Sequence, residues 1–234
     1  YIEFESGTEH DVTPQEQVSL NFTVKNIGNA VDSIVIQPEF TMTYFGQDDS
    51  IWDAESIIQG NISVNQSKTL SLDFIVPKMT WSGSVAKLNL AIFSESLLVD
   101  NYVLNFTITH VSGWKFNLSD TALVVDPNGD NLTLNIEQLG NMATKPWFSK
   151  AGYGWNVSYP DNGDLMEPFS ISTVTVYVSP PEGARAGEVG ILKLRISDGD
   201  GSGEVIQEIP IRVGAAPNLE IGHSGSWMVN QLGG

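Results

Sequence analysis

The sequence predicts an all-β fold: two tandem immunoglobulin-like (fibronectin III-like) antiparallel β-sandwiches followed by the start of a third. Three observations lead to this prediction. Apolar and polar residues alternate along the chain, and clusters of Gly, Pro, Asn and Asp interrupt it about every eight to twelve residues. The chain also repeats itself internally, and no stretch shows a convincing helical period.

The repeat is visible in two pairs of segments. VTPQEQVSLNF, which begins at Val12, is echoed by VDPNGDNLTLNI, which begins at Val125, and each leads to a glycine turn, Ile27-Gly28-Asn29 in one and Leu139-Gly140-Asn141 in the other. Residues 69–94 then align with residues 173–198 at a constant offset of 104, which places Gly83 opposite Gly187. A period of this length is the size of one sandwich domain.

The repeat predicts the domain organisation. We expect one sandwich in residues 1–112, a second in residues 113–214 and the N-terminal fragment of a third in residues 215–234. Two linkers join them, Ser112-Gly113 and the Gly-Ala-Ala-Pro segment 214–217. Linkers this short leave little freedom between neighbouring domains, so the array should be semi-rigid. We also expect the chain to be a piece of a longer protein.

Within each copy the apolar residues recur at every second position. Residues 18–24, 104–108 and 192–196 alternate in this way, which indicates strands with one buried and one solvated face. Pro210 interrupts the last such strand of the second copy. Because proline has no N–H to donate to a ladder, we expect this strand at a sheet edge, with a bulge as the alternative.

Composition excludes several classes of function. The net charge of −17 and the pI of about 4.3 make nucleic acids and anionic membrane surfaces unsuitable partners. No apolar run approaches the roughly 18 residues of a membrane span, so we expect no direct membrane insertion. The absence of cysteine removes disulfides, thiol nucleophiles and cysteine-ligated zinc.

The chain has more N-glycosylation sequons than composition predicts. Chance would give roughly three N-x-S/T triplets, and seven are present. The acceptors are Asn21, Asn61, Asn65, Asn105, Asn117, Asn131 and Asn156. Alternation puts Asn21, Asn105 and Asn131 on outward strand faces, where a glycan could attach, although a merely solvated Asn would show the same pattern. The excess favours an extracellular, cell-surface glycoprotein.

At this point the motifs resemble a known group. The V-x-P segment leading to [VL]-[ST]-L-N-[FI] and the glycine turn, followed by T-[LV]-x-[LV], a proline and G-x-V, is similar to the CARDB and NEW3 families. These are immunoglobulin-like domains found in tandem on archaeal and bacterial cell-surface proteins, and the resemblance implies a prokaryotic, archaeal source. The resemblance covers both copies but consists of turn and core residues. It implies the fold, the surface location and an adhesion, carbohydrate-associated or spacer role, and it transfers no catalytic residue.

No motif identifies a reaction. His10, His110 and His223 are far apart in sequence and lack metal-ligand spacing, and neither a G-x-S-x-G elbow nor a phosphate-binding loop occurs. We therefore expect no catalytic residue, no enzymatic activity and no required cofactor.

One loop is a candidate calcium site. DGDGSGE places oxygen-bearing side chains at alternate positions, and calcium prefers six to eight oxygen ligands. The candidates are Asp198, Asp200, Ser202 and Glu204. The competing interpretation is a hairpin turn, because Asp-Gly is also a favoured turn sequence between paired strands. The first copy has SESLLVD at this place, so the repeat does not require a metal there.

Aromatic residues suggest a candidate ligand platform. Trp147, Tyr153 and Trp155 cluster in the loop 146–159 of the second copy, and aromatic faces stack on sugar rings. Packing inside the core or at an interface is the alternative.

Three functions remain open. The first is a non-catalytic spacer or adhesion module whose partners are the neighbouring domains of its parent chain. The second is a module that binds glycans or surface proteins through loop 146–159. The third is assembly by strand sharing, in which residues 216–234 pair with an exposed edge.

Overall fold

The computed structural model describes residues 1–4, 7–47, 49–117, 123–150, 154–159 and 163–215. Within these residues the chain forms sixteen β-strands and no helix, which confirms the prediction of an all-β fold. No helix long and apolar enough to cross a bilayer occurs in them. The predicted third copy lies in residues 215–234, of which 216–234 are outside the described residues.

The first copy folds into two sheets. Its strands are β1 (Ile2–Phe4), β2 (Glu9–Val12), β3 (Gln17–Lys25), β4 (Asp32–Thr43), β5 (Ile57–Ile62), β6 (Ser67–Ile75), β7 (Val85–Ser94) and β8 (Leu97–Ile108). One sheet has the order β1-β3-β6, and the other has the order β2-β8-β7-β4-β5.

The second copy also folds into two sheets. Its strands are β9 (Trp114–Asn117), β10 (Leu123–Val125), β11 (Asp130–Gln138), β12 (Trp147–Lys150), β13 (Asn156–Ser158), β14 (Ile171–Ser179), β15 (Val189–Ser197) and β16 (Val205–Val213). The orders are β13-β14-β11-β9 and β10-β16-β15-β12. Without β10 these are the two sheets of an immunoglobulin constant-type domain.

Each copy has its own hydrophobic core, as alternation predicts. The first cluster runs from Ile2 to Ile108 and includes the fully buried Phe22 and Phe106, whereas the second runs from Trp114 to Val213. In β3 the residues 20, 22 and 24 are buried and their neighbours 19, 21 and 25 are exposed. Burying one face of each of two facing sheets is what stabilises a sandwich.

The backbone conformation at corresponding glycines is the same in the two copies. Gly83 and Gly187 have φ values of 85° and 84°, a left-handed conformation that glycine adopts without steric cost. Each is the third residue of a turn, and its N–H donates to the last residue of the final strand of its copy, at 2.9 Å to Ile108 O and 2.8 Å to Val213 O. The same parallel pairing, β2 with β8 and β10 with β16, closes both sandwiches.

The two copies differ in one strand. In the first copy β5 pairs with β4 and extends the five-stranded sheet. In the second copy β13 instead pairs with β14, in the opposite sheet. The edge of β6 that corresponds to the covered edge of β14 therefore has no strand beside it among the described residues.

The prediction that Pro210 marks an edge strand is wrong, and so is the bulge alternative. β16 lies between β15 and β10, and its register with β15 is continuous across Pro210. The N–H of Val213 donates to Glu188 O, so the backbone N–H and C=O groups of odd-numbered residues in β16 point to β15. The backbone nitrogen of Pro210 therefore points to the opposite side of the strand. Within the described residues the pairing with β10 runs from Ile211 to Val213.

Candidate functional site

The most strongly organised polar site joins the two copies, and Asn141 is at its centre. Its side chain is 1% exposed. Its Oδ1 accepts from Val111 N–H at 2.8 Å, and its Nδ2 donates to Thr109 O at 2.9 Å. Its backbone N–H donates to Val111 O at 3.1 Å, and its carbonyl accepts from Ser82 N–H at 2.7 Å. One residue of the second copy therefore bonds to three residues of the first copy, two of which lie just before the linker.

The glycine turn of the second copy places Asn141 against the linker. A Cβ on Gly140 would lie 2.8 Å from Val111 O, so only glycine lets the turn approach this closely. The preceding Leu139 N–H donates to Gly113 O at 2.8 Å. In the first copy the corresponding residue, Asn29, is exposed. Sequence reasoning aligned the two turns but missed this role, and the only signal was an Asn beside a glycine.

The candidate calcium loop forms the second part of the junction. Asp198 is 5% exposed, and its Oδ1 accepts a hydrogen bond of 2.8 Å from Nε1 of Trp114, which is 3% exposed. Trp114 opens the second copy, so the carboxylate fixes the first strand of the sandwich to the β15–β16 hairpin. A charge this deeply buried is stabilised by such a donor.

The same hairpin contacts the linker. Ser202 Oγ lies 2.8 Å from Ser112 Oγ, which in turn lies 3.2 Å from Nε2 of His110. Ser202 also donates to Asp200 through its N–H and its hydroxyl, and these bonds hold the pKa of the Asp200 carboxyl below its ordinary value. A Cβ on Gly203 would lie 2.8 Å from the Gly113 nitrogen, so this glycine also permits a close backbone approach.

These contacts decide how the four candidate calcium ligands are arranged. Three of them, Asp198, Asp200 and Ser202, bond to one another or to Trp114, as described above. Glu204 points to Arg195, with 3.5 Å between its Oε2 and Nη1. No group of three His, Asp or Glu side chains in the described residues is arranged to hold a metal ion. The pairing of β15 with β16 on either side shows that the loop is a hairpin, and calcium binding stays a prediction.

The candidate aromatic platform is not assembled as one surface. Trp155 is 7% exposed and belongs to the core, with its Nε1 directly beneath Gly190. It therefore has no free ring face for a sugar, because it fills the space that a side chain at 190 would need. Trp147, on β12, is 49% exposed. Tyr153 lies outside the described residues.

The sequon asparagines fall into two groups. Five are exposed: Asn21, Asn61, Asn65, Asn131 and Asn156. Asn105 and Asn117 are half-buried, and in each the amide nitrogen that a glycan would occupy donates to a carboxylate, at 2.7 Å to Glu9 and 3.4 Å to Glu137. The outward orientation predicted for Asn105 is therefore accompanied by a competing hydrogen bond.

Two tyrosines have shifted pKa values. Burial raises the pKa of Tyr159 to about 12, although the nearby Arg195 charge opposes the shift. Its hydroxyl has no hydrogen-bond partner in the described part of the chain, and its ring stacks on Phe148 at 6.1 Å. Burial, assisted by a hydrogen bond of 2.7 Å to Asp100, also raises the pKa of Tyr102.

Of the histidines, His10 lies in β2 and stacks on Phe106, and His223 is outside the described residues.

No protein-family model matches the chain, and no curated protein sequence matches it significantly. The resemblance to CARDB and NEW3 domains therefore stays a prediction.

Three solved structures similar to the chain share little sequence with it. PcdhgB3 EC1-4 has a TM-score of 0.46 at 7% identity, over 92% of this chain and 50% of that chain. The D00-D0 domain of Intimin has a TM-score of 0.41 at 9% identity, over 90% and 99% of the two chains. DIP-gamma IG1+IG2 has a TM-score of 0.40 at 14% identity, over 92% and 98%. Values this low support no inference about function.

Proposed function

We propose that the chain is a non-catalytic, extracellular structural module, a stiff spacer or adhesion segment of a larger cell-surface protein. The observation that carries this proposal is the junction at Asn141, where one buried side chain and its backbone bond to Thr109, Val111 and Ser82. A spacer works by transmitting a fixed orientation from one domain to the next, and buried, satisfied hydrogen bonds across a linker provide that orientation.

The extracellular part of the proposal is supported by the sequons. Five of the seven acceptor asparagines are exposed on the sandwich surfaces. The acidity of the chain, −17 in net charge, supports a solvated surface that stays soluble at high local density.

The experiment measures whether the two copies tumble as one body. We expect residual dipolar couplings of the whole chain to fit a single alignment tensor for both cores. Asn141→Ala removes two side-chain bonds and leaves Val111 N–H and Thr109 O unpaired, at a cost of about 2 kcal/mol to the junction. We expect this variant to require two tensors while each core keeps its own couplings.

Asn29→Ala is the matched control, because Asn29 occupies the same turn of the first copy and is exposed. It should leave the single tensor unchanged. A native chain that already needs two tensors, or an Asn141→Ala variant that behaves like Asn29→Ala, would contradict the spacer proposal.

A second candidate, carbohydrate or protein binding through loop 146–159, is favoured by one observation, the exposed ring of Trp147. Trp147→Ala should abolish any glycan-array signal while the fold is retained. Trp155→Ala is not an equivalent test, because its ring is part of the core and its loss costs stability.

A further inference from the structure

The open edge of β6 forms one wall of a cleft. The cleft has a volume of about 710 Å³, within the usual range of ligand sites. Residues 71–75 of β6 line it from one side, and residues 53–58, the segment that leads into β5, line it from the other. The cleft therefore runs alongside a strand whose outer edge has no neighbour among the described residues.

The backbone of β6 directs into this cleft hydrogen-bonding groups that no described strand pairs with. At one end of the β3–β6 ladder Val76 N–H donates to Glu16 O, and at the other Asn26 N–H donates to Gln66 O. The register between these ends is continuous, so even-numbered residues of β6 bond to β3. The N–H and C=O groups of the odd-numbered residues, Ser71 among them, consequently face the open edge. Such an edge is a template for one more strand.

The second copy shows what fits at this place. There β13 pairs with β14 at Asn156 opposite Ser179 and Ser158 opposite Tyr177. At the offset of 104, Ser179 and Tyr177 correspond to Ile75 and Asp73, which line the cleft of the first copy. In its own repeat the chain thus places a three-residue strand where the first copy has a cleft.

The charge of the cleft selects the occupant. Asp53, Glu55 and Asp73 all line it. In the described residues the ion pairs are Lys115–Glu137, Lys193–Glu208 and Arg195–Glu204, so none involves these three carboxylates. Residues 1–112 carry fourteen acidic and four basic side chains, a net charge of −10. A neutral or acidic strand would meet uncompensated negative charge here, whereas a basic strand would neutralise it.

We propose that this cleft binds an extended, basic segment of a partner protein, which adds a strand to the edge of β6. Its backbone pairs with the outward groups at 71, 73 and 75. Side chains on its outer face are Lys or Arg beside Asp73, and those on its inner face are small or apolar against Ala54 and Ile57. The recognised pattern is an alternation of basic and apolar residues with a period of two.

The test uses the whole ¹⁵N-labelled chain and a blocked peptide of alternating lysine and valine. We expect chemical-shift changes confined to residues 53–58 and 71–75, new protection of the Ser71 and Asp73 amides, and an affinity that falls with salt. A peptide of alternating glutamate and valine should not bind. The proposal is overturned by no binding at millimolar peptide, by equal binding of both peptides, or by a response centred elsewhere.

Two sets of variants separate backbone pairing from simple charge attraction. Ser71→Pro removes a donor that β3 does not use, and we expect about tenfold weaker binding, whereas Thr175→Pro, the equivalent change in the second copy, should have no effect. Asp53→Asn should weaken binding about two- to fivefold, and Glu39→Gln, on the other sheet, should not. If Ser71→Pro does not fold, the proposal is tested by the affinity of Asp53→Asn and by the protection of the Ser71 and Asp73 amides. Affinities unchanged by both Ser71→Pro and Asp53→Asn overturn the proposal, and the junction at Asn141 is unaffected by either result.

Discussion

The bond between Asp198 and Trp114 gives the sharpest test of how the second copy is held together. Both side chains are buried, and 2.8 Å separates Oδ1 of Asp198 from Nε1 of Trp114. Asp198→Ala removes a charged acceptor and leaves the indole N–H unpaired inside the protein. Net contributions of such bonds are about 1.5–3 kcal/mol, so we expect the free energy of unfolding of the second copy to fall by about 2 kcal/mol.

The assay is urea unfolding of the whole chain, followed through amide resonances of the second copy, with the Trp114 indole N–H resonance reporting the bond itself. Asp198→Asn keeps an acceptor and should lose much less stability than Asp198→Ala. Asp200→Ala is the control in the same hairpin, because its carboxylate is solvated and accepts hydrogen bonds from Ser202. Equal effects of Asp198→Ala and Asp200→Ala, or an unshifted indole resonance, would refute the assignment of Asp198 to the junction.

Three further predictions concern single positions. Gly190→Ala should destabilise the second copy by about 1–3 kcal/mol in thermal unfolding, because its Cβ would lie 2.5 Å from Nε1 of Trp155. Gly83→Ala and Gly187→Ala should each cost about 1–2 kcal/mol in their own copy, and clearly unequal costs would contradict the structural repeat. The native chain should lose stability as pH rises from 10 towards 12, since the Tyr159 hydroxyl ionises at the ordinary pKa of 10.0 when unfolded but only near 12 when folded. Tyr159→Phe should reduce that loss by about 2 kcal/mol, and identical alkaline profiles would be inconsistent with a buried hydroxyl.

The strands could be predicted from sequence because alternation has a direct physical cause. Residues such as Leu20 and Phe22 must face the core, and their neighbours then face water, whatever the partner strand is. The equivalence of Gly83 and Gly187 could also be predicted from sequence, because a turn with positive φ favours glycine in both copies. Local rules of this kind need no knowledge of the tertiary structure.

The junction could not be predicted, because its residues meet only in space. The residues next to Asp198 in sequence suggest a calcium loop. Its hydrogen-bond partner, Trp114, is 84 residues away in the chain. Asn141 is one Asn beside a glycine, indistinguishable in sequence from Asn29, and only the neighbouring copy makes it a buried residue. Trp155 likewise looked like part of an aromatic platform, whereas its burial depends on the glycine at position 190.

The difference between the two copies has a cause in the sequence. The first copy has IIQGNI at residues 57–62, with isoleucines that suit a half-buried strand, and these residues pair with β4. At the offset of 104 the second copy has DNGDLM, and Asp, Asn and Gly are depleted in strands.

Among the described residues of the second copy, that pairing is represented by a bridge between Thr144 and Met166, and Met166 is the counterpart of Ile62. The segment 57–62 extends the sheet of β4 in the first copy, whereas in the second copy the residues before its counterpart pair with β14. Where it extends the sheet of β4, the edge of β6 stays open beside an acidic cleft. Where it is too polar to do so, the residues just before it form β13 and close the corresponding edge. The open edge of the first copy thus accompanies a sequence that favours β5 as a strand.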